Sequence, residues 1–479
     1  MKSRIVKPVK RLDQRKKNTG KKESNIGDTQ PMRRLEESGS RRSLSDTRPM
    51  RTSGLRAGYT GYRRSIDERR QVVSTPYPKK EKKTSRTAKK RRAGLGSLFS
   101  VKDSAGEHYF DYDLLFVIIF LMCFGLVMLY STSAYEAEVD FGNDLYYFSR
   151  QALIGFGGVI IMLFVSRIDY HLYGAFAVEI YALAMIMMAL VRTPLGITLN
   201  GARRWISLPG NMTLQPAEIT KIAVILFISY ELCRLGRKAY TMEGMIRVFV
   251  FGAIASGGVL FLTDNLSTAI IVMAITCLLI FVIHPKLKPF VILLIVGIVV
   301  AAVGIAILSV TVANSDNFRL QRIISWLNPE ATADSGSYQV MQGLYAIGSG
   351  GFFGKGLGNS TQKMGVIPEA QNDMILVVIC EELGVFGALI ILVLFGLLLY
   401  RLMFIARNAP DLYGSLIATG IFAHIALQVT LNIAVVTGLL PTTGITLPFI
   451  SYGGTAILFL MAEMGIALGI SRRIKLEGD

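Results

Sequence analysis

Asp373 lies where a polar segment meets an apolar run, in Pro368-Glu-Ala-Gln-Asn-Asp373-Met-Ile-Leu-Val. A carboxylate there has two readings. It can cap a helix or serve as a first-turn acid, which the helix dipole favours. It can also act as a general base at a surface. Residue type and position alone favour the first. Basic residues lie on both sides of it in the chain. Residues 192–215 carry Arg192, Arg203 and Arg204, and residues 313–373 carry Arg319, Arg322, Lys355 and Lys363. Such charges suit an anionic ligand, and arginine binds phosphate oxygens in pairs through its planar fork. Ordinary surface charge is the alternative. Glu218 and Lys221 lie three apart, so on a helix they share a face and pair. Glu381 and Glu382 sit two turns beyond Asp373, and Glu179, Glu231 and Glu463 interrupt other apolar runs. Glu231 reads as an interface residue near Arg234; Glu179 has no evident partner.

The elements that must hold these groups are long and apolar. The 479 residues are 51% hydrophobic and only 18% charged. The mean hydropathy is +0.44. A soluble chain carries about a quarter charged residues, so lipid is the expected solvent for most of this one. Apolar runs fall at 114–133, 151–167, 173–191, 216–232, 248–263, 268–284, 290–312, 374–400, 412–436 and 454–471. The expected fold is an all-α polytopic membrane protein of about ten transmembrane helices, with a large extracellular loop between helices 7 and 8. That loop, 313–373, is too long for a plain connector. It contains Gly348-Ser-Gly-Gly-Phe-Phe-Gly-Lys-Gly-Leu-Gly358, which lacks the Lys-Ser/Thr pair and preceding strand of a P-loop. Its glycines suit tight turns, packing on helices or approach to a ligand.

Charge is uneven along the chain. Residues 1–100 hold 30 Lys+Arg and 9 Asp+Glu, a net of +21, and the remainder nets −3. Residues 1–110 are expected to be a disordered basic cytoplasmic tail, 111–473 the membrane domain and 474–479 a cytoplasmic C-terminal tail. The tail's clusters would be drawn to anionic lipid at about 1 kcal/mol per basic residue. Cys123, Cys233, Cys277 and Cys380 sit in or beside apolar runs without a CxxC pair, so neither disulfide nor metal is expected from them.

Several separate stretches, in order, resemble the SEDS family (shape, elongation, division and sporulation), typified by FtsW and RodA. They are Asn200-Gly-Ala-Arg-Arg-Trp-Ile206, Leu214-Gln-Pro-Ala-Glu-Ile-Thr-Lys221, Tyr338-Gln-Val-Met-Gln342 with Ala346-Ile-Gly-Ser-Gly-Gly351 and Gly354-Lys-Gly-Leu-Gly-Asn359, Pro368-Glu369 with Asp373 and Glu381-Glu-Leu-Gly384, and Pro441-Thr-Thr-Gly-Ile-Thr-Leu-Pro-Phe-Ile-Ser-Tyr-Gly-Gly454. The resemblance covers roughly 112–473 and is more FtsW-like than RodA-like. It departs at Asn372-Asp-Met-Ile-Leu376, where the family often has Thr-Asp-Phe-Ile-Phe, and at Thr263-Asp-Asn-Leu-Ser-Thr-Ala269. It implies a peptidoglycan glycosyltransferase polymerising lipid II in cell division and releasing undecaprenyl pyrophosphate. A lipid II flippase, a non-enzymatic division scaffold, or an elongation or sporulation paralogue is the alternative. The implied partners are a class B penicillin-binding protein (the transpeptidase), other divisome proteins and the bacterial plasma membrane, with no nucleic acid. The implied site lies on the outer face, with both termini cytoplasmic. Asp373 would be the catalytic base. Arg203, Arg204, Lys355 and Lys363 would meet the pyrophosphate, with Glu218, Lys221, Ser451 and Tyr452 shaping the cavity. A divalent cation, Mg or Mn, is compatible with that chemistry, but no ligand cluster fixes one.

Overall fold

The computed structural model describes residues 109–199, 202–208, 212–284, 318–327, 329 and 337–475, with isolated positions between 288 and 303. The expected basic tail, the run 290–312 apart from isolated positions, and most of the C-terminal tail lie outside these residues.

Lipid offers no hydrogen bonds, so each spanning segment must satisfy its own backbone. Helices achieve this here: α1 (Tyr112–Phe141), α2 (Tyr146–Val165), α3 (Tyr170–Ala175), α4 (Ala177–Leu190), α5 (Pro216–Leu235), α6 (Met242–Leu262), α7 (Leu266–Ile283), α8 (Phe318–Leu327), α9 (Tyr338–Gly350), α10 (Ile375–Asn408), α11 (Leu412–Val436) and α12 (Ala456–Ser471). Their ends follow local chemistry. Asp111 caps α1 by accepting from Leu114 N at 2.9 Å, and Gly142 closes that helix in the left-handed region at φ 65°. Asp411 caps α11 through Gly414 N at 2.7 Å, Asn265 caps α7 through Thr268 N at 3.1 Å, and Pro216 opens α5.

Among the described residues, six helices are long and apolar enough to cross a membrane: α1, α2, α6, α7, α10 and α11. The expected run 173–191 is split between α3 and α4 at Phe176, while α5 and α12 fill the runs at 216–232 and 454–471. In the bundle, α11 packs against α5, α7, α9, α10 and α12, α2 packs on α12, and α1 packs on α2 and α10.

Two features add to the all-α expectation. Segment 192–215 contains a small antiparallel sheet, β1 (Gly196–Leu199), β2 (Ala202–Leu208) and β3 (Met212–Leu214), in the order β1-β2-β3. The long segment before Asp373 carries α8 and α9 rather than plain loop.

The glycine-rich stretch packs into a break in α10. Gly384 has φ 69° and ψ −166°, which interrupts that helix and frees its carbonyls. Lys355 N donates to Glu381 O at 3.0 Å and Gly356 N to Glu382 O at 2.9 Å. On the return side, Val385 N donates to Gly351 O and Phe386 N to Phe352 O, both at 3.1 Å. Irregular backbone is tolerated at membrane depth when protein covers it, and here residues 351–356 do so.

Candidate functional site

Three chain segments meet around Asp373. The first is its own turn, 369–374. The second is the loop 441–453, between α11 and α12. The third is α8. Asn432, buried in α11, joins the first two: its Nδ2 donates to Asp373 O at 2.9 Å and to Ile445 O at 2.8 Å. Tyr452 N donates to Gln371 O at 2.9 Å. Helix α8 reaches the same loop through Arg322, which donates to Thr442 O at 3.2 Å, and Trp326, which donates to Gly438 O at 3.0 Å. Ser267, at the start of α7, donates to Thr443 O at 2.9 Å.

The 441–453 loop dips between helices. A β-carbon on Gly125, inside α1, would lie 2.7 Å from both Ile450 Cα and Phe449 O, so glycine lets this backbone enter. Two non-glycine residues with positive φ flank the site, Glu369 at 52° and Phe449 at 64°. Strain of this kind gathers where the surrounding structure holds a functional geometry.

Asp373 precedes α10, and desolvation pushes its carboxyl up to about 6, opposed by its own backbone N–H and by Arg322. Burial draws the Arg322 guanidinium below its usual value, and Asp373 acts against that. The two charges therefore feel each other. A carboxylate that titrates near neutrality beside a cation can take a proton and leave an anion stabilised nearby. Burial also raises the Tyr452 phenol.

The other sequence-derived residues divide into groups. Lys221 is buried in α5, 2.8 Å from Glu218, and also donates to Gln428 Oε1 at 3.3 Å. Glu218, Gln428, Thr446 and Ser451 line a cavity of about 20 Å³, room for about one water. Ser451 is buried and its Oγ accepts from Leu447 N at 2.8 Å, so it braces the loop. Arg203 and Arg204 are adjacent on β2, where a bulge leaves Arg204 outside the pairing with β1, between the Thr198–Arg203 and Ile197–Trp205 pairs. Arg203 turns back to donate to Thr193 O at 2.6 Å. The sheet touches the site loop through Thr455, whose hydroxyl donates to Thr213 O at 2.6 Å.

Lys355 and Lys363, expected to meet the pyrophosphate, have carboxylate partners within the protein. Each is matched to a carboxylate buried in α10. Lys355 lies 2.6 Å from Glu381 and Lys363 lies 2.6 Å from Glu382. Ser360 and Thr361 also bond Glu381, and Ser131 donates to Glu382 at 2.7–2.8 Å. These pairs stitch the 355–363 loop to α1 and α10. Beside them is an apolar cavity of about 570 Å³ lined by Val127, Tyr130, Ala134, Leu145, Phe148 and Leu357.

Arg322 was visible in the sequence only as one more basic residue. Its position on a short amphipathic helix was the missing signal. Arg192 bridges to Asp264 at 3.1 Å. Glu231, expected near Arg234, is held by it at 3.5 Å and also by Arg247 at 2.8 Å. Among the described residues, no group of three or more His, Cys, Asp or Glu side chains is arranged to hold a metal ion.

The family model described as cell cycle protein, covering FtsW, RodA and SpoVE, matches residues 112–476. The stage V sporulation protein E of Bacillus subtilis is 38% identical over 366 residues, covering 75% of this chain and 97% of that protein. A probable peptidoglycan glycosyltransferase FtsW from Trichlorobacter lovleyi is 36% identical over 368 residues, covering 77% and 94%. A solved chain described under "Structural coordination of polymerization and crosslinking by a peptidoglycan synthase complex" superposes with TM-score 0.63 at 25% identity, covering 77% of this chain and 99% of that one. The rod shape determining protein RodA of Thermus thermophilus shares the fold, with TM-score 0.53 at 23% identity, covering 77% and 98%.

Proposed function

The chain belongs to the FtsW, RodA and SpoVE family of cell cycle proteins, and from that premise we propose that Asp373 is the general base of a membrane-embedded lipid II polymerase. Relatives named as probable peptidoglycan glycosyltransferases match 76–77% of the chain at 35–36% identity, which supports the reaction class. The observation that carries the residue assignment is the Asp373 carboxyl, pushed up to about 6 by burial and faced by Arg322.

In the transfer, a sugar hydroxyl of one lipid II attacks the anomeric carbon of another. The new glycosidic bond forms as the bond to undecaprenyl pyrophosphate breaks. Asp373 takes the hydroxyl proton, and its raised pKa makes it a better base than an ordinary carboxylate. Charge grows on the leaving diphosphate, and preorganised cations lower the barrier by meeting it there. Arg322 is the cation best placed relative to Asp373. Lys221, held by Glu218 under the 446–451 loop, and Arg203 and Arg204 on the sheet form the outer ring of this reading. The apolar cavity between α1, α2 and Leu357 suits an isoprenoid chain. The described residues offer no ready-made metal site, so no step is routed through a divalent cation.

The distribution of lysine and arginine supports a site end of the bundle on the outer leaflet, with both termini cytoplasmic. A class B penicillin-binding protein is the proposed partner, and division the proposed process. The test is polymerisation of lipid II by the purified chain with that partner. Wild type forms glycan, and Asp373→Ala folds but does not. Turnover retained in Asp373→Ala removes the base assignment. Lipid movement without glycan favours transport instead.

A further inference from the structure

Among the buried ionisable groups that the mechanism leaves unused, one set lies on α11 and α12. His424, Gln428 and Asn432 repeat every four residues along α11, so they form a polar stripe on one face of a membrane helix. All three are buried, as is Glu463 on the neighbouring α12. Polar and charged groups are costly at this depth and are usually paired or functional. Here Glu463, His424 and Gln428 make a continuous ladder that ends on Lys221. Glu463 lies 2.8–2.9 Å from His424 Nδ1, and His424 Nε2 lies 2.9 Å from Gln428 Oε1. Lys221 Nζ reaches the same Oε1 at 3.3 Å and Glu218 at 2.8 Å.

The ladder fixes its own protons. Gln428 Nε2 donates to Thr446 O at 3.0 Å, which identifies the other amide atom as the oxygen. That oxygen accepts from Lys221, so His424 Nε2, facing it too, must carry a hydrogen. The opposite ring nitrogen faces a carboxylate, so one more proton must lie between Nδ1 and Glu463. The pair is then either imidazolium with carboxylate or neutral imidazole with carboxylic acid. Both forms are neutral overall, as an apolar interior requires.

We infer that His424 and Glu463 are positioning residues for glycan transfer: through Gln428 they hold Lys221 against Glu218, beneath the 446–451 loop. The inference rests on the polymerase reading above. Gln428 is the coupling element because it touches the histidine, the lysine and the loop backbone.

The experiment uses the full chain with its penicillin-binding partner in lipid nanodiscs, with lipid II as the probe. His424→Leu and Gln428→Leu are each expected to lower kcat about tenfold or more, with KM changed far less, since misplacement of about 1 Å can cost 100-fold. The double variant should lose no more than either single one, because both cut the same chain. Glu463→Gln should retain activity, since its amide can donate to Nδ1 of a neutral ring, whereas Glu463→Leu should not. Nitrogen-15 spectra of the histidines, four in the sequence, should show a protonated Nε2 in the signal that His424→Leu removes. A bare Nε2 overturns the inference. So do Leu variants whose thermal stability falls while kcat per folded complex stays at the wild-type value. A wild-type chain that makes no glycan overturns the polymerase reading as well. Normal wild-type turnover with unchanged Leu variants overturns this inference alone.

Discussion

Lys363→Met separates a structural from a substrate-binding role for the most deeply buried lysine of the 355–363 loop. In the wild type, Lys363 Nζ lies 2.6 Å from Glu382, and their side chains are 7% and 0% exposed. It also donates to Ser131 Oγ at 3.0 Å. Methionine matches the aliphatic stem but leaves the Glu382 carboxylate buried without its cation. Breaking such a pair from one side costs about 3–5 kcal/mol. Ser131 and the Ser360 amide still reach Glu382, at 2.7–2.8 Å and 3.4 Å, which favours the lower end. Glu382→Gln added to Lys363→Met removes the orphaned charge and should recover most of the loss. Reversible unfolding in mixed micelles, read by intrinsic fluorescence, measures both variants. If Lys363→Met leaves stability within about 0.5 kcal/mol of wild type and instead raises KM for lipid II, the amine faces substrate and the structural reasoning fails.

Three further outcomes follow from the same geometry. Arg322→Gln removes the cation that opposes desolvation at Asp373, so the acid limb of activity should move to higher pH; an unmoved limb would show that the two charges are uncoupled. Asp373 has its carboxyl raised from 3.8 to about 6, so the folded chain holds that proton more tightly than the unfolded chain. Stability from this group therefore falls as pH rises through that window, and Asp373→Asn should be more stable above it by up to about 3 kcal/mol, with the advantage vanishing near pH 4. Unfolding curves at both pH values check this. Gly384→Ala should destabilise by about 1–3 kcal/mol, because φ is 69° and a β-carbon would overlap the Gly354 amide and Phe352 carbonyl; Gly396→Ala, with open space around it, is the neutral control.

Much of the membrane architecture was legible because hydrophobic length is a strong signal. The run 412–436 coincides with α11 because Asp411 caps it and turn residues follow Val436. The Glu218–Lys221 pair followed from helical spacing and is present at 2.8 Å. The sheet was less visible, because Arg203-Arg204 and Trp205-Ile206 break the alternation of a strand at its bulge, and its charged residues drew attention from Asn200-Gly201, a hairpin signal. The docking of residues 351–356 into α10 was not legible at all. It depends on Gly384 breaking a run that reads as continuous helix, and on partners 26 and 34 residues apart in the chain. Nor could spacing show that Glu381 and Glu382 neutralise Lys355 and Lys363, or that α8 carries Arg322 to Asp373. Those are tertiary facts, set by which loop folds back on which helix.

The pH dependence of kcat/KM for lipid II polymerisation by the wild-type complex is the most direct probe of the central claim. If the Asp373 carboxylate removes the hydroxyl proton, kcat/KM falls tenfold per pH unit below an apparent pKa of about 6. A profile flat from pH 7 down to about 4.5, the range of an ordinary exposed carboxylate, would contradict it.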